Sequence, residues 1–275
     1  MAGGLTRFAT IAGATALALA FSIPATQAAE PSPRAICHAP ADLIRLAYPL
    51  NHTAQRLAAG EPLTIVAIGS SSTAGAGASS SDASYPSRLA VELKQRFPHN
   101  RITVINRGVN GEEVRDMLVR FPVSVIAEKP DLVLWQVGTN AVLRNDPLTP
   151  AGSLIRVGVD QLKSIGADIV LMDPQYAPKV ISKPEIEGMI DLVSAAAKDA
   201  SVDLFPRFAV MRIWRDKDHV PFDTFVSPDG LHMNDWGYAC VASLLGSAIA
   251  EASTRATTSA HASGAVLPAA STSTH

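Results

Sequence analysis

The sequence predicts an α/β fold, a three-layer α/β/α sandwich around a mainly parallel, five-stranded sheet. Short apolar runs of strand length alternate with longer segments of helical pattern along most of the chain. Runs such as Leu63-Thr64-Ile65-Val66-Ala67-Ile68 and Leu132-Val133-Leu134-Trp135 lack regular polar alternation, the pattern of strands buried on both faces. The composition, 47% hydrophobic against 17% charged over 275 residues, supplies a core for such a domain and excludes wholesale disorder.

Taken in order, the pattern places a helix over 39–59 ahead of a first strand at 63–68. Helix 84–97, strand 102–105, helix 112–128 and strand 131–137 follow. Helix 149–165, strand 168–172, helix 184–200, strand 202–205 and a last helix over 234–250 complete the domain. In parallel sheets of this kind, sites form where strands end and loops begin.

The two ends of the chain read differently. Residues 1–29 have the layout of an export signal: Arg7 with the amino terminus, an uncharged apolar stretch from Phe8 to Phe21, a break at Pro24 and Thr26-Gln27-Ala28 before a cleavage point. The stretch is short for a bilayer span of about 20 residues. Cleavage near Ala28 or Ala29 is therefore expected, with no stable membrane insertion afterwards and a periplasmic or extracellular location if the cell is bacterial. At the other end, 252–275 is almost wholly Ala, Ser and Thr and reads as a disordered tail. This leaves 30–251 as the folded domain, whose activity should survive removal of 253–275.

Charge narrows the partners. A net charge of −2 without a dense Lys/Arg cluster argues against nucleic acid or an anionic membrane surface. The two cysteines, Cys37 and Cys240, both fall in the expected mature chain. An oxidising compartment allows a disulfide between them, and two separate buried thiols is the alternative. Neither lies in a C-x-x-C pair, so redox catalysis and Cys-rich zinc sites fit poorly.

Four strand ends carry the residues of interest. The first strand runs into Gly69-Ser70-Ser71-Ser72-Thr73-Ala74-Gly75, which is neither a dinucleotide fingerprint nor a Walker A loop. Alone it equally serves as a turn and helix cap. The second ends in Asn106-Arg107-Gly108-Val109-Asn110-Gly111, where glycine suits a tight turn or exposes a backbone N–H at a helix start. The third ends in Gly138-Thr139-Asn140; an asparagine there caps a helix or donates to a developing oxyanion. Ser227-Pro228-Asp229-Gly230-Leu231-His232 precedes the last helix. Asp218, His219 and Asp223 nearby lack recognisable metal-ligand spacing, so no metal is expected.

Together and in this order, the blocks Gly-x-Ser-x-Thr-x-Gly, Asn-x-Gly-x-x-Gly, Gly-Thr-Asn and Asp-Gly-Leu-His resemble the SGNH (GDSL-like) hydrolase family over 63–240. The resemblance implies a flavodoxin-like sandwich and serine esterase chemistry without metal or organic cofactor. By position it makes Ser71 the nucleophile, with His232 and Asp229 as the acid–base pair. The oxyanion donors become the Ser71 and Gly111 backbone N–H groups and the Asn140 side chain. Two departures stand out: Ser70 where the family usually has Asp, and Ala141 where Gly-Thr-Asn is often followed by Asp.

The resemblance further implies an O-acyl ester substrate, short-chain and, given export, on a cell-envelope or environmental carbohydrate. A lipase or thioesterase, an acyltransferase, or a non-catalytic glycan-binding module of the same fold are the alternatives. Tyr176, in the loop after the fourth strand, and the aromatic residues Trp214, Phe222, Phe225 and Trp236 offer sugar-stacking surfaces or ordinary packing. Arg107 and Arg144 offer contacts to an anionic substrate or are simply solvated. The run Ala74-Gly75-Ala76-Gly77 is small enough to leave the site mouth open.

Overall fold

A computed structural model describes residues 1, 3–4 and 37–264. The export signal expected over 1–29 and the end of the expected tail, 265–275, therefore lie outside the described residues, save for 1, 3 and 4. Residues 37–264 belong to the unit Ser32–His275, and the architecture below is that unit's.

Five parallel strands form one sheet in the order β2-β1-β3-β4-β5, with β1 Leu63–Gly69, β2 Ile102–Gly108, β3 Leu132–Gln136, β4 Asp168–Met172 and β5 Asp203–Phe205. All five coincide with the expected runs, and β2 continues three residues beyond its expected end at 105. Every residue of β3 is buried, as its unbroken apolar sequence requires. Trp135, its fourth residue, meets the edge of Phe121 at 5.0 Å between ring centroids and sends its indole N–H to the Met117 sulfur at 3.2 Å.

Two groups of helices flank the sheet. α2 (Asn51–Ala58), α4 (Tyr85–Arg96) and α12 (Asp235–Gly264) pack together, and α5 (Val114–Ser124), α7 (Leu148–Ser164) and α9 (Ile186–Asp199) form the other layer. Between them come the short helices α1 (Ala41–Ile44), α3 (Ser71–Ala74), α6 (Thr139–Arg144), α8 (Pro178–Ile181) and α11 (Phe222–Phe225). No described helix is long and apolar enough to cross a membrane.

Three expectations need correction. The helix expected over 39–59 is two short helices, because Pro49 disfavours helical backbone at Tyr48 and removes a donor. A ten-residue helix unassigned in the sequence, α10 (Arg207–Asp216), follows β5 and buries Arg207, Phe208, Val210, Met211 and Trp214. The last helix continues past 251 to Gly264. Alanine is the strongest helix former, and Ala252, Ser253 and Ala256 are buried there while Arg255 donates to Leu46 O at 2.7 Å.

Aspartates at the N-terminal ends of β3, β4 and β5 anchor the entry segment. Asp203 accepts the Tyr48 N–H at 2.9 Å, Asp168 accepts that of Thr53 at 2.8 Å, and Asp131 lies 2.8 Å from His52 Nε2 while also accepting the Thr64 N–H of β1. A Cys37–Cys240 disulfide ties the same segment to α12 across 203 residues.

Candidate active site

The opposite, C-terminal ends of the strands gather all four motif blocks. The chain leaves β1 for β2 on one side and reaches β3 on the other, so a crevice opens above β1 and β3. Ser71 opens α3 directly after β1, where a first-turn N–H has no acceptor within the helix. Asn140 is the second residue of α6, after β3.

His232 reaches Ser71 from a separate loop. Its Nε2 lies 2.9 Å from Ser71 Oγ, and its Nδ1 lies 2.5 Å from Asp229 Oδ2. A carboxylate accepts only, so Nδ1 carries the proton and Nε2 is left to accept from the Ser71 hydroxyl. Asp229 Oδ1 organises the loop by accepting the Ser227 hydroxyl at 2.7 Å and the Leu231 and His232 N–H groups at 2.9 and 3.0 Å. A hydrogen bond from Ser227 N–H to His232 O and the antiparallel bridge Val226–Met233 close the loop at its base. Burial pushes the Asp229 carboxyl up, but the bonds from His232, Ser227 and Leu231 outweigh it and hold the group well below the usual carboxylate range.

Of the expected oxyanion donors, Asn140 is tied to the loop that carries Gly111. Asn140 Nδ2 donates to Glu112 O at 2.8 Å, which fixes its side chain and leaves a second amide hydrogen to give. Gly111 turns with a φ of 79° in the loop between β2 and α5. Arg120 holds that loop from behind, gripping the Glu112 carboxylate with two nitrogens and the Arg107 carbonyl at 2.8 Å. A cleft of about 390 Å³ borders Asn140 and Gly138 between α5, α6 and α7, lined also by Val114, Met117, Ala151 and Leu154.

Beneath the surface a buried polar chain links the two halves of the site. Gln136 Oε1 accepts from Ser70 N–H at 2.9 Å, Ser70 Oγ at 3.0 Å and Thr73 Oγ1 at 3.3 Å. Thr139 Oγ1 lies 3.1 Å from Gln175 Oε1, and Gln175 Nε2 donates to Leu231 O at 3.1 Å, next to His232. Arg207, fully buried, donates to Gln175 Oε1 and to the Asp173 carbonyl. Burial raises the Asp173 carboxyl to about 7, against the Phe208 N–H and the Arg207 charge, and lowers Arg207. Ser70 thus replaces the usual carboxylate with a donor matched to Gln136. Ala141 is buried, where an unpaired carboxylate would be costly.

Several candidate contacts resolve into packing. Tyr176 stacks on Phe222, meets the edge of Phe208 at 5.1 Å and donates to Asp216. Trp214 packs edge-on against Phe225 and Trp236. Arg107 pairs with Glu128, and Arg144 with Glu113. The small-residue run packs on the His232 loop, where a Cβ on Gly77 would fall 2.8 Å from His232 Cβ and 2.5 Å from Met233 O.

The sequence did not single out Ser227, Arg120, Gln136, Gln175 or Arg207. Ser227, two residues before Asp229, lies close enough in sequence for its hydroxyl to reach that carboxylate. Gln136, Gln175 and Arg207 act through partners more than thirty residues away, and Arg120 through Glu112 and Arg107, across a turn the sequence does not specify.

A parallel α/β/α sandwich whose strand ends hold this constellation is a carboxylic ester hydrolase of the SGNH type. The chain belongs to the non-GDSL lipase-like family, whose model matches residues 36–255. It is 28% identical over 149 residues to an arylesterase of Vibrio mimicus, covering 54% of this chain and 70% of that one. It is 33% identical over 98 residues to an acetylxylan esterase of Geobacillus stearothermophilus, covering 36% and 40%. Among solved structures, it superposes on a two-domain esterase active on acetylated mannans with a TM-score of 0.61 at 20% identity, covering 73% of this chain and 52% of that one. It also superposes on the acetylxylan esterase Axe2 of G. stearothermophilus with a TM-score of 0.59 at 23% identity, covering 68% and 94%.

Proposed function

We propose that Ser71, His232 and Asp229 are the catalytic triad of an exported esterase that removes short O-acyl groups, acetyl above all, from a carbohydrate. The observation that carries this reading is the unbroken line from Ser71 Oγ through His232 to Asp229, at 2.9 and 2.5 Å.

A serine hydroxyl is a weak nucleophile without an adjacent base. His232 Nε2 takes the proton as Ser71 Oγ attacks the ester carbonyl, and the Asp229 carboxylate holds the ring and stabilises its cation. The carbonyl oxygen becomes an oxyanion facing Ser71 N–H, Gly111 N–H and Asn140 Nδ2. When the tetrahedral intermediate collapses, His232 returns the proton to the leaving alcohol and the acyl group stays on Ser71. Water then attacks this ester, giving a proton to His232; as the second tetrahedral intermediate breaks its bond to Ser71 Oγ, His232 returns the proton to that oxygen and the carboxylic acid leaves. Losing one oxyanion donor typically costs about 100- to 1,000-fold in rate, so Asn140→Ala should lower turnover to that extent.

The substrate reading draws on relatives acting on acetylated xylan and mannan. Export draws on the layout of 1–29 and on the Cys37–Cys240 disulfide, a bond that persists in oxidising compartments. The test is acetate release from acetylated xylo- and manno-oligosaccharides, beside p-nitrophenyl esters from acetyl to long acyl chains. Release of acetate with preference for the short esters supports the reading. A preference for long chains would replace it with a lipase, and turnover only onto a sugar acceptor with an acyltransferase.

A further inference from the structure

Two consecutive carbonyls of the loop between β2 and α5 are held from α6. Asn140 Nδ2 takes Glu112 O, and Arg144 Nη2 donates to Gly111 O at 2.7 Å. The other terminal nitrogen of Arg144 pairs with the Glu113 carboxylate. Glu113 is itself the N-cap of α5, locked in a reciprocal capping box with Asp116. Asn140 and Arg144 are four residues apart on one helix and so project on the same side.

Gly111 is the residue that needs such support. With a φ of 79° and no side chain, its flanking peptides rotate more easily than those of any other residue. The nearest atom to where its Cβ would stand is Arg144 Nη2, at 3.7 Å, so the guanidinium lies against this glycine. We infer that Arg144 is a positioning residue for the oxyanion hole, clamping the Gly111 carbonyl so that the N–H on the other side of the residue stays aimed at the reacting ester. The inference rests on Gly111 and Asn140 being the oxyanion donors. Arginine suits the role because its planar fork reaches a carbonyl and a carboxylate at once, which an ammonium does less well. Its side chain is 49% exposed, and exposed ion pairs contribute little to stability, so its removal should register in rate rather than folding.

The test compares Arg144→Met and Arg144→Lys with the wild type, Asn140→Ala and Ser71→Ala. Readouts are kcat and KM for p-nitrophenyl acetate, the thermal midpoint, and inhibition by an aryl trifluoromethyl ketone. That ketone accepts the Ser71 oxygen at its carbonyl carbon while the serine proton passes to His232, leaving an alkoxide in the oxyanion hole. Loss of a preorganised donor bounds the effect, so Arg144→Met should lower kcat by about 10- to 100-fold with KM within about twofold. Ketone affinity should fall by the same factor as kcat/KM, the midpoint should hold, and Arg144→Lys should recover part of the rate. Adding Arg144→Met to Asn140→Ala should cost less than it does alone, because both grip one loop.

A kcat within about twofold of wild type in Arg144→Met would overturn the inference, as would a raised KM with kcat intact, which would make Arg144 a substrate contact. A rate loss with unchanged ketone affinity would also overturn it. Hydrolysis that survives Ser71→Ala would instead overturn the triad reading, and the inference with it.

Discussion

Ser71 Oγ and His232 Nε2 lie 2.9 Å apart across 161 residues of sequence. The contact joins the start of α3, after β1, to the loop before α12, and the buried chain from Gln136 through Thr139 to Gln175 links the two from below. Geometry at the surface is thus set by hydrogen bonds made inside the sheet layer.

Asp229 Oδ2 holds His232 Nδ1, while Oδ1 holds the loop backbone. Asp229→Asn keeps the Oδ1 contacts but can present an amide N–H to Nδ1, favouring the wrong tautomer. Turnover of p-nitrophenyl acetate should drop by about 10³- to 10⁴-fold with little change in thermal midpoint. A loss below about tenfold would show that the carboxylate is not orienting the base.

Asp203 makes stability depend on pH. Burial raises its carboxyl to about 6, more than the Tyr48 and Ala47 N–H groups and Arg255 lower it. The folded state therefore binds the proton more tightly than the unfolded one. Its contribution is most favourable below the unfolded value near 4 and is lost as pH rises through about 6. Asp173, raised to about 7, acts in the same direction. Asp229 acts oppositely, stabilising above the ordinary carboxylate range and losing that effect as pH falls. Asp203→Asn should match wild type in urea midpoint at pH 4. At pH 7 it should be more stable by on the order of 1–2 kcal/mol. Equal stability across that range would contradict the assignment.

The Cys37–Cys240 bond closes a loop of 203 residues. Cys240→Ser should cost about 2–4 kcal/mol in non-reducing buffer. The gap to wild type should close when both are measured in reductant, and no gap in oxidising buffer would argue against the bond.

Truncation after Glu251 should lower the thermal midpoint, since it removes the buried Ala252, Ser253 and Ala256 and the bonds from Arg255 to Leu46 O and Tyr48 O. An unchanged midpoint would restore 251 as the end of the folded domain.

The strands were legible because β1 and β3 are continuous apolar runs, and the four motif blocks because each is short, three at the ends of β1, β2 and β3 and the fourth just before the last helix. The rest depended on distance. Ala252 to Gly264 has the composition of a tail, yet alanine extends a helix once a neighbouring face receives it. Arg207 offered no local sign of burial, because its partners Asp173 and Gln175 lie more than thirty residues away. Arg144 read as a solvated or substrate-facing cation, since nothing in the sequence places Gly111 and Glu113 within its reach.

The central claim is that Ser71 attacks the ester. Its most direct measurement is the steady-state hydrolysis of p-nitrophenyl acetate by purified wild type and Ser71→Ala, with matching circular dichroism to show that both are folded. The account predicts turnover in the wild type and a rate indistinguishable from buffer in Ser71→Ala. Turnover retained by the folded variant, or none from the folded wild type, would contradict it.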